Sequence, residues 1–189
     1  DAGEKGIKGV CVQDGLHVVQ TAEDGSFILP GHKDTRFITL TVPDGFQASA
    51  SHYLPFDGTG KKYELGICKS PVRTGNGYSF VQITDTETSL YGDWIDNLKE
   101  YVKTNPTAFI IHTGDICYEA HQDFHGRYLR SEDFGVPTYY CVGNHDLRAG
   151  RYGEELWQSH FGPSWYSFDV GNVHYVVTPM LGGDHAPSY

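Results

Sequence analysis

The sequence has no apolar run that could span a bilayer, for which about 20 consecutive apolar residues are needed. This absence excludes a membrane-spanning protein. Basic residues are also few, since 14 Lys and Arg stand against 24 Asp and Glu and give a net charge of -10. Such a balance repels nucleic-acid backbones, so no nucleic acid is expected as a partner. The hydrophobic share of 39% is that of an ordinary globular protein.

Cysteine is scarce, and its spacing is uninformative for zinc. Cys11, Cys68, Cys117 and Cys141 form no CxxC pair, which argues against a structural zinc site. Cys117 and Cys141 each lie close to the end of a predicted strand, where they either face one another or stay free thiols. Residues 1–5 contain neither a charged segment nor an apolar segment of a targeting peptide. The sequence does not indicate an oligomeric state.

The first third of the chain has the pattern of short β-strands. Apolar residues alternate or come in short runs at Val10 and Val12, Val18 and Val19, Phe27 and Leu29, and Phe37, Ile38, Leu40 and Val42. Turn signals separate these runs at Asp14-Gly15, Asp24-Gly25 and Asp44-Gly45. The spacing predicts an all-β domain, a small antiparallel sandwich, over residues 1–70.

A linker of low apolar content, KSPVRTGNG at 69–77, precedes a region with a different pattern. Predicted strands at 79–84, 107–113 and 136–142 alternate with helical patterns at 89–103 and 154–161, and a polar, His-rich connection follows the second strand. A predicted hairpin, with Gly171-Asn172 at its turn, follows at 165–180. Strand-helix-strand order predicts an α/β domain with a parallel core sheet over residues 71–189.

Three of these predicted strands end in residues that can bind a metal. Asp85 and Glu87 follow the first, Asp115 follows the second, and Asn144, His145 and Asp146 follow the third. The carboxyl ends of parallel strands open on one edge of a sheet, so these segments are expected to converge on one site. A dinuclear hydrolytic centre needs two cations roughly 3.5–4 Å apart with a bridging oxygen ligand.

The residue types suggest a role for each position. Asp115 follows a glycine and is the candidate bridging ligand, with Asp85 on one cation and Asn144 on the other. His145 is expected beside the cations, placed to protonate the leaving oxygen or to stabilise the phosphoryl group. Asp146 is expected to orient the His145 imidazole.

Two segments give a family resemblance. IIHTGD at 110–115 and CVGNHD at 141–146 resemble the second and third motifs of the calcineurin-like metallophosphoesterases, over residues from about 78 to 189. The resemblance implies two divalent ions, which are manganese, magnesium, zinc or iron, and a phosphomonoester or phosphodiester substrate. It also implies the same roles for Asp85, Asp115, Asn144 and His145. The alternative is a non-catalytic binding protein with a degenerate site.

The N-terminal region also has a resemblance. The segment at 9–30, GVCVQDGLHVVQTAEDGSFILP, resembles the carboxypeptidase-regulatory-like or transthyretin-like sandwiches that precede the catalytic domain of many secreted phosphoesterases. The resemblance implies an extracytoplasmic location. It favours a packing or spacer module over a sugar-binding or surface-binding one.

The sequence departs from the family pattern at two points. Glu87 stands where the family has His or, in some branches, Gln; as a ligand it favours manganese or magnesium, and otherwise it points to solvent. The single-His and GHxH motifs of the family do not occur, and His185 lies in a predicted loop, so it is not taken as a ligand. We therefore expect the chain to be a piece of a longer enzyme that is inactive alone.

Other polar residues near the motifs have two interpretations each. Tyr118 follows Asp115 at the GDxxY spacing of purple acid phosphatases, where the tyrosine ligates iron; the alternative is a tyrosine that is buried or lines the cleft. His121 and His125, in the predicted connection, either contact substrate phosphate or are solvated. His112 and His174 lie within predicted strands and are expected to be hydrogen-bonded structural residues.

Overall fold

The structure is a computed structural model that describes residues 4–72, 74–75, 77–147 and 153–179. In chain order the strands are β1 (Cys11–Gln13), β2 (Val18–Gln20), β3 (Phe37–Leu40), β4 (Phe46–Ala48), β5 (Tyr53–Pro55), β6 (Ile67–Lys69), β7 (Ser79–Ile83), β8 (Thr107–His112), β9 (Thr138–Tyr140), β10 (Tyr166–Val170) and β11 (Val173–Val177). The helices are α1 (Asp93–Thr104), α2 (Glu119–Tyr128), α3 (Ser131–Phe134) and α4 (Glu155–Phe161), with a 3₁₀ turn at Asn144–Asp146.

The N-terminal strands form an antiparallel sheet in the order β2-β1-β3-β5, and β4 pairs with β6 antiparallel in a second, two-stranded sheet. Val12, Ile38 and Leu40 are buried, as the alternation of apolar residues predicts for half-buried strands. The all-β character of this region is confirmed. The expected strand at Phe27–Leu29 is wrong: this segment is irregular, and Ile28 is 88% exposed.

The predicted turn between the first two strands is confirmed, and the Asp14 side chain explains it. Asp14 Oδ1 accepts hydrogen bonds from the backbone nitrogens of Leu16, at 3.0 Å, and His17, at 2.7 Å. An aspartate that binds the backbone two and three residues ahead holds a tight turn. Gly15 takes a positive φ of 91°, which a glycine adopts without steric cost.

The α/β character of the second region is confirmed. Strands β7, β8 and β9 form a parallel sheet in that order. Buried residues of α1, β8 and the helices that follow pack into one core: Ile95, Val102, Ile110, Phe124, Leu129 and Phe134. A second cluster lies beyond the ends of β8 and β9 and includes α4: Ile116, Tyr140, Val142, Leu147, Trp157 and Phe161. Burial of these apolar surfaces stabilises the sheet and fixes its carboxyl edge.

The connection between β8 and β9 differs from the prediction. The sequence suggested a polar, His-rich loop, but the chain forms α2 and α3 there. Helix α2 was not predicted because two of its buried residues, Gln122 and His125, are polar and lie beside Phe124 on the inner face. A polar residue buried through hydrogen bonds does not give the apolar periodicity by which helices are found in a sequence.

The chain divides into two compact units. The first contains the described part of 1–70 together with Trp165–Val176, and the second contains the described parts of 71–164 and 177–189. The predicted hairpin is confirmed as β10 and β11, with Gly171 at its turn, and most of it lies in the first unit. There Thr41 Oγ1 and Ser167 Oγ are 2.9 Å apart. Within the described residues no helix is long and apolar enough to cross a membrane.

Candidate metal-dependent hydrolytic site

Three loops meet at the carboxyl edge of the parallel sheet. The ladder continues past β7, where Thr113 N donates to Ile83 O at 2.9 Å, and Asp85 N then donates to Gly114 O at 3.1 Å. On the other side, Cys141 N donates to His112 O at 2.7 Å. The loop after β8 is therefore hydrogen-bonded to the loop after β7. Strand β8 itself is hydrogen-bonded to the segment that leads from β9 into the third loop. The predicted convergence of backbone segments has a direct structural basis.

Gly114 and Gly143 bring the second and third loops into backbone contact. A methyl group built on Gly114 would overlap the backbone of Gly143, and one built on Gly143 would overlap the carboxylate and backbone nitrogen of Asp115. Gly114 also has a φ of 103°, a backbone conformation that residues other than glycine rarely adopt. The absence of both side chains lets the Asp115 carboxylate lie against the start of the third motif.

The loops contain a cluster of strained backbone conformations. Among the described residues, the non-glycine residues with positive φ are Asp85 at 52°, Glu87 at 32°, Asp115 at 55° and Cys117 at 71°. Each costs on the order of 1–3 kcal/mol, and such strain concentrates at functional sites. All four lie in the first and second motif loops, and three of them are predicted metal ligands. This pattern supports a site at the sheet edge.

Asp115 is tied to the third motif by a hydrogen bond as well as by contact. The backbone nitrogen of His145 donates to Asp115 Oδ1 at 3.2 Å. This places the Asp115 carboxylate at the 3₁₀ turn that contains Asn144 and His145. The predicted ligands Asp115 and Asn144 are thus on adjoining backbone segments. Their roles as ligands stay predictions.

Asp146 holds the second and third loops together. It is fully buried, and its carboxylate accepts four backbone hydrogen bonds, from Asp115 at 3.0 Å, Ile116 and Cys117 at 2.8 Å each, and Gly143 at 2.7 Å. Burial raises the pKa of Asp146 to about 6, and the four N–H donors oppose that rise. The structure thus gives Asp146 a scaffolding role that sequence reasoning missed. Its predicted role in orienting His145 stays a prediction.

Gln122 adds a second link that the sequence did not reveal. This fully buried residue of α2 donates from Nε2 to the carbonyl oxygens of Cys117, at 2.9 Å, and Asp146, at 3.0 Å. One side chain thereby satisfies one carbonyl from the second loop and one from the third. The sequence gives no direct signal for this link, because Gln122 can be expected to be buried only once its helix has been recognised.

Glu87 contacts the protein as well as solvent. Its side chain is exposed, but it hydrogen-bonds the buried Cys117 thiol. Burial, this hydrogen bond and the nearby carboxylates of Glu87, Asp146 and Asp115 raise the pKa of Cys117 to about 12, which keeps the thiol protonated and unreactive. All four cysteines are free thiols; Cys117 is buried and Cys141 is half-buried.

The histidines near the site differ in their surroundings. His112 is buried and hydrogen-bonded, which confirms the structural role expected for it. His174 lies 2.6 Å from Asp169 through Nδ1. His125 is not the solvated loop residue that was one alternative; it lies on α2, fully buried. Tyr118 is 55% exposed, so it is not buried. His185 lies outside the described residues.

The donor set matches hard cations in its chemistry. Asp85 and Asp115 offer carboxylate oxygens and Asn144 an amide oxygen, which are the ligands that magnesium and manganese prefer. No group of three or more His, Cys, Asp or Glu side chains within the described ranges is arranged to hold a metal ion. The oxygen donors fit such ions by type and by their place on hydrogen-bonded loops.

Comparison with known proteins gives two matches, one in the N-terminal region and one in the region of the parallel sheet. A family model described as calcineurin-like phosphoesterase matches residues 78–184, and one described as the N terminal of calcineurin-like phosphoesterase matches residues 1–62. No curated protein matches the chain, and no solved structure does. The family match together with the parallel sheet identifies an α/β protein of the phosphoesterase class. Because the first match covers more than half of its residues, the chain belongs to the calcineurin-like phosphoesterases, a family of metal-dependent phosphoester hydrolases.

Proposed function

We propose that the protein hydrolyses a phosphomonoester or phosphodiester with two divalent cations. Asp85 and Asn144 would each hold one cation, Asp115 would be a ligand of both, and Glu87 would be a further ligand. One observation supports this proposal best. A side chain at Gly143 would overlap the Asp115 carboxylate, so this carboxylate lies directly against the third loop. A carboxylate that lies where two loops meet is well placed to be a ligand of two neighbouring cations.

The cations, when bound, supply Lewis acidity to the phosphoryl group. The protein's own residues supply position and proton transfer. Asp146 fixes the backbone of both loops through its four hydrogen bonds, so the ligands need little reorganisation. The backbone nitrogen of His145 donates to the Asp115 carboxylate, and we propose that the imidazole of this residue lies beside the cations. We propose that this imidazole protonates the leaving oxygen.

Asp115→Asn tests the proposal in the natural protein with nitrophenyl phosphate and bis-nitrophenyl phosphate as substrates and manganese as cation. Asparagine keeps the oxygen that accepts from His145 N, so the variant removes charge with little change of shape. We expect kcat to fall by about 100-fold or more. Asp123→Asn, on the outer side of α2 and paired with Arg127, is the matched control and should retain activity. Equal activity of Asp115→Asn and wild type would contradict the proposal.

The second candidate is a non-catalytic binding protein, and one observation favours it. Glu87 replaces the family's usual ligand and hydrogen-bonds the Cys117 thiol, so its carboxylate is already engaged by the protein. Metal analysis of the natural protein separates the two candidates. Two cations per chain together with turnover support the hydrolase, whereas a metal-free and inactive natural protein supports the binding protein.

We also propose an extracytoplasmic location, with the N-terminal β domain over residues 1–70 acting as a spacer beside a catalytic domain over 71–189. The location rests on the resemblance of residues 9–30 to the sandwiches of secreted phosphoesterases. The antiparallel sheet of this region and its match to the N-terminal family model support a β domain that precedes the catalytic one. Fractionation of the source cells tests the location. Recovery of the protein with cytoplasmic markers would contradict it.

A further inference from the structure

Thr86 lies between two predicted ligands whose backbones are strained. Asp85 and Glu87 both have positive φ, at 52° and 32°. Non-glycine residues keep such conformations where surrounding contacts hold them in place. The Thr86 hydroxyl oxygen provides two such contacts, since it lies 2.9 Å from His112 Nε2 and 2.6 Å from His125 Nε2. The hydroxyl is therefore held between rings from β8 and α2.

The other nitrogen of each ring fixes the direction of these hydrogen bonds. His112 Nδ1 accepts from Gly114 N at 3.1 Å, so its proton is on Nε2 and is donated to Thr86. His125 Nδ1 lies 2.8 Å from the His121 carbonyl, which can only accept, so its proton is on Nδ1. His125 Nε2 then accepts the Thr86 hydroxyl proton. The bonds run in one direction from Gly114 through His112, Thr86 and His125 to His121.

Both rings are neutral in this arrangement, and their burial agrees with it. His112 and His125 are each 0% exposed. Burial, helped by the neighbouring His125, lowers the pKa of His112 to about 3, and burial lowers the pKa of His125 to about 4. A threonine is well suited to the middle position, because its hydroxyl accepts one hydrogen bond and donates another while its methyl group limits rotation.

The hydrogen bonds connect the first loop to the second. One end is the backbone nitrogen of Gly114, which directly precedes Asp115, and the middle is the residue between Asp85 and Glu87. The other end is α2, whose Gln122 holds the second and third loops. We propose that Thr86, His112 and His125 are positioning residues that hold Asp85 and Glu87 in place for cation binding. This inference rests on the proposed function, which assigns those two residues as cation ligands.

The test is a calorimetric titration of the metal-free natural protein with manganese alone. Thr86→Val keeps the shape of the side chain and removes the hydroxyl. We expect it to weaken manganese affinity by about 10–100-fold, as is usual when a residue that orients a ligand is lost. Thr86→Ser restores the hydroxyl and should recover most of the affinity. Thr88→Val is the matched control, since the Thr88 hydroxyl bonds within its own turn, to Leu90 N and O, and affinity should not change.

His125→Asn tests the same hydrogen bond from the other side. The asparagine amide nitrogen replaces Nδ1 at the His121 carbonyl, but nothing replaces Nε2 at Thr86. We expect a loss of affinity no larger than that of Thr86→Val, which removes both hydrogen bonds of the hydroxyl. We expect no further loss in the double variant, because the bond that His125→Asn removes is already absent in Thr86→Val. This variant also serves where Thr86→Val does not fold. An additive double variant would contradict a shared hydrogen bond.

Hydrolysis of nitrophenyl phosphate, measured in parallel, separates this inference from the proposed function. If the wild type binds manganese and Thr86→Val does not, but no ester is hydrolysed, the positioning role stands and the hydrolase proposal fails. Equal manganese affinity in wild type and Thr86→Val overturns the positioning role even when hydrolysis is observed. Absence of manganese binding in the wild type also overturns it.

Discussion

Gly143 shows at the scale of one residue how the site depends on a missing side chain. Its φ of -95° is accessible to any residue, so backbone conformation does not require glycine there. The space around it does, because the Asp115 carboxylate and backbone occupy the position of a Cβ atom. In GNHD the glycine therefore has a steric role that differs from the conformational role of Gly114.

We predict that Gly143→Ala destabilises the protein by about 1–3 kcal/mol, the usual cost of inserting a methyl group into a packed interior. It should also lower cation affinity, because the Asp115 carboxylate must move. Urea unfolding gives the free energy, and manganese titration gives the affinity. Gly75→Ala is the control, since a methyl group there meets nothing within 4 Å and the backbone φ is ordinary. Equal stability of the two variants would show that the contact at Gly143 relaxes without cost.

The sequence could predict which residues follow the strands, but it could not predict how they are held. Asp85, Asp115 and Asn144 were found because each follows a predicted strand. The positive φ of Asp85 and Asp115 and the bonds that Thr86 makes to two distant histidines have no local sequence signal. Backbone strain depends on tertiary contacts, which a single sequence does not show.

At the scale of elements, α2 is the part of the site that sequence reasoning missed most clearly. Its inner face has Gln122 and His125 where an apolar stripe would be expected, and its outer face has Asp123 and Arg127. Strands β7 and β8 and helix α1 were predicted because their apolar residues follow the periods of strands and helices. The hydrogen bonds that make α2 a scaffold are the reason that its apolar pattern is weak.

We predict that Gln122→Met destabilises the protein by on the order of 2–3 kcal/mol, since methionine keeps the volume but leaves the buried carbonyls of Cys117 and Asp146 without this donor. The effect should exceed the loss of an exposed polar residue on the same helix. Thermal and urea unfolding of Gln122→Met and Asp123→Asn provide the comparison. Equal unfolding midpoints would mean that α2 does not hold the two loops.

At the scale of the whole molecule, the first compact unit combines two segments that are distant in the sequence, the described part of 1–70 and Trp165–Val176. Most of the β10–β11 hairpin lies with the first unit, where Asp169 N donates to Val42 O at 2.8 Å and Gly171 N bonds the Asp44 carboxylate at 2.6 Å. The hairpin itself was predictable from Gly171-Asn172. Its place was not, because pairing between residues more than 100 positions apart leaves no local pattern. The domain boundary at residue 70 stays a prediction.

Buried and half-buried histidines in the two units determine how the stability of the molecule responds to acid. Burial lowers the pKa of His52, in the first unit, to about 4, and the pKa values of His112 and His125 in the second unit are lowered to about 3 and 4. In the unfolded chain an imidazole has a pKa of about 6.5. Between pH 6.5 and about 4 the unfolded state therefore binds more protons than the native state, and stability must fall as the pH falls.

We predict that the free energy of unfolding of the metal-free protein decreases by about 5 kcal/mol between pH 7.5 and pH 5. Each of the three histidines contributes about 2 kcal/mol, because pH 5 lies about 1.5 below the unfolded pKa. Asp146 opposes them: its native pKa of about 6 lies above its unfolded value, so it gains about 1 kcal/mol at pH 5. Urea unfolding in the presence of a chelator, monitored by tryptophan fluorescence, measures the change. His52→Phe should make the free energy of unfolding depend less steeply on pH. A free energy that does not change over this interval would mean that the imidazoles are protonated in the native state, which is incompatible with the one-way hydrogen bonds through Thr86.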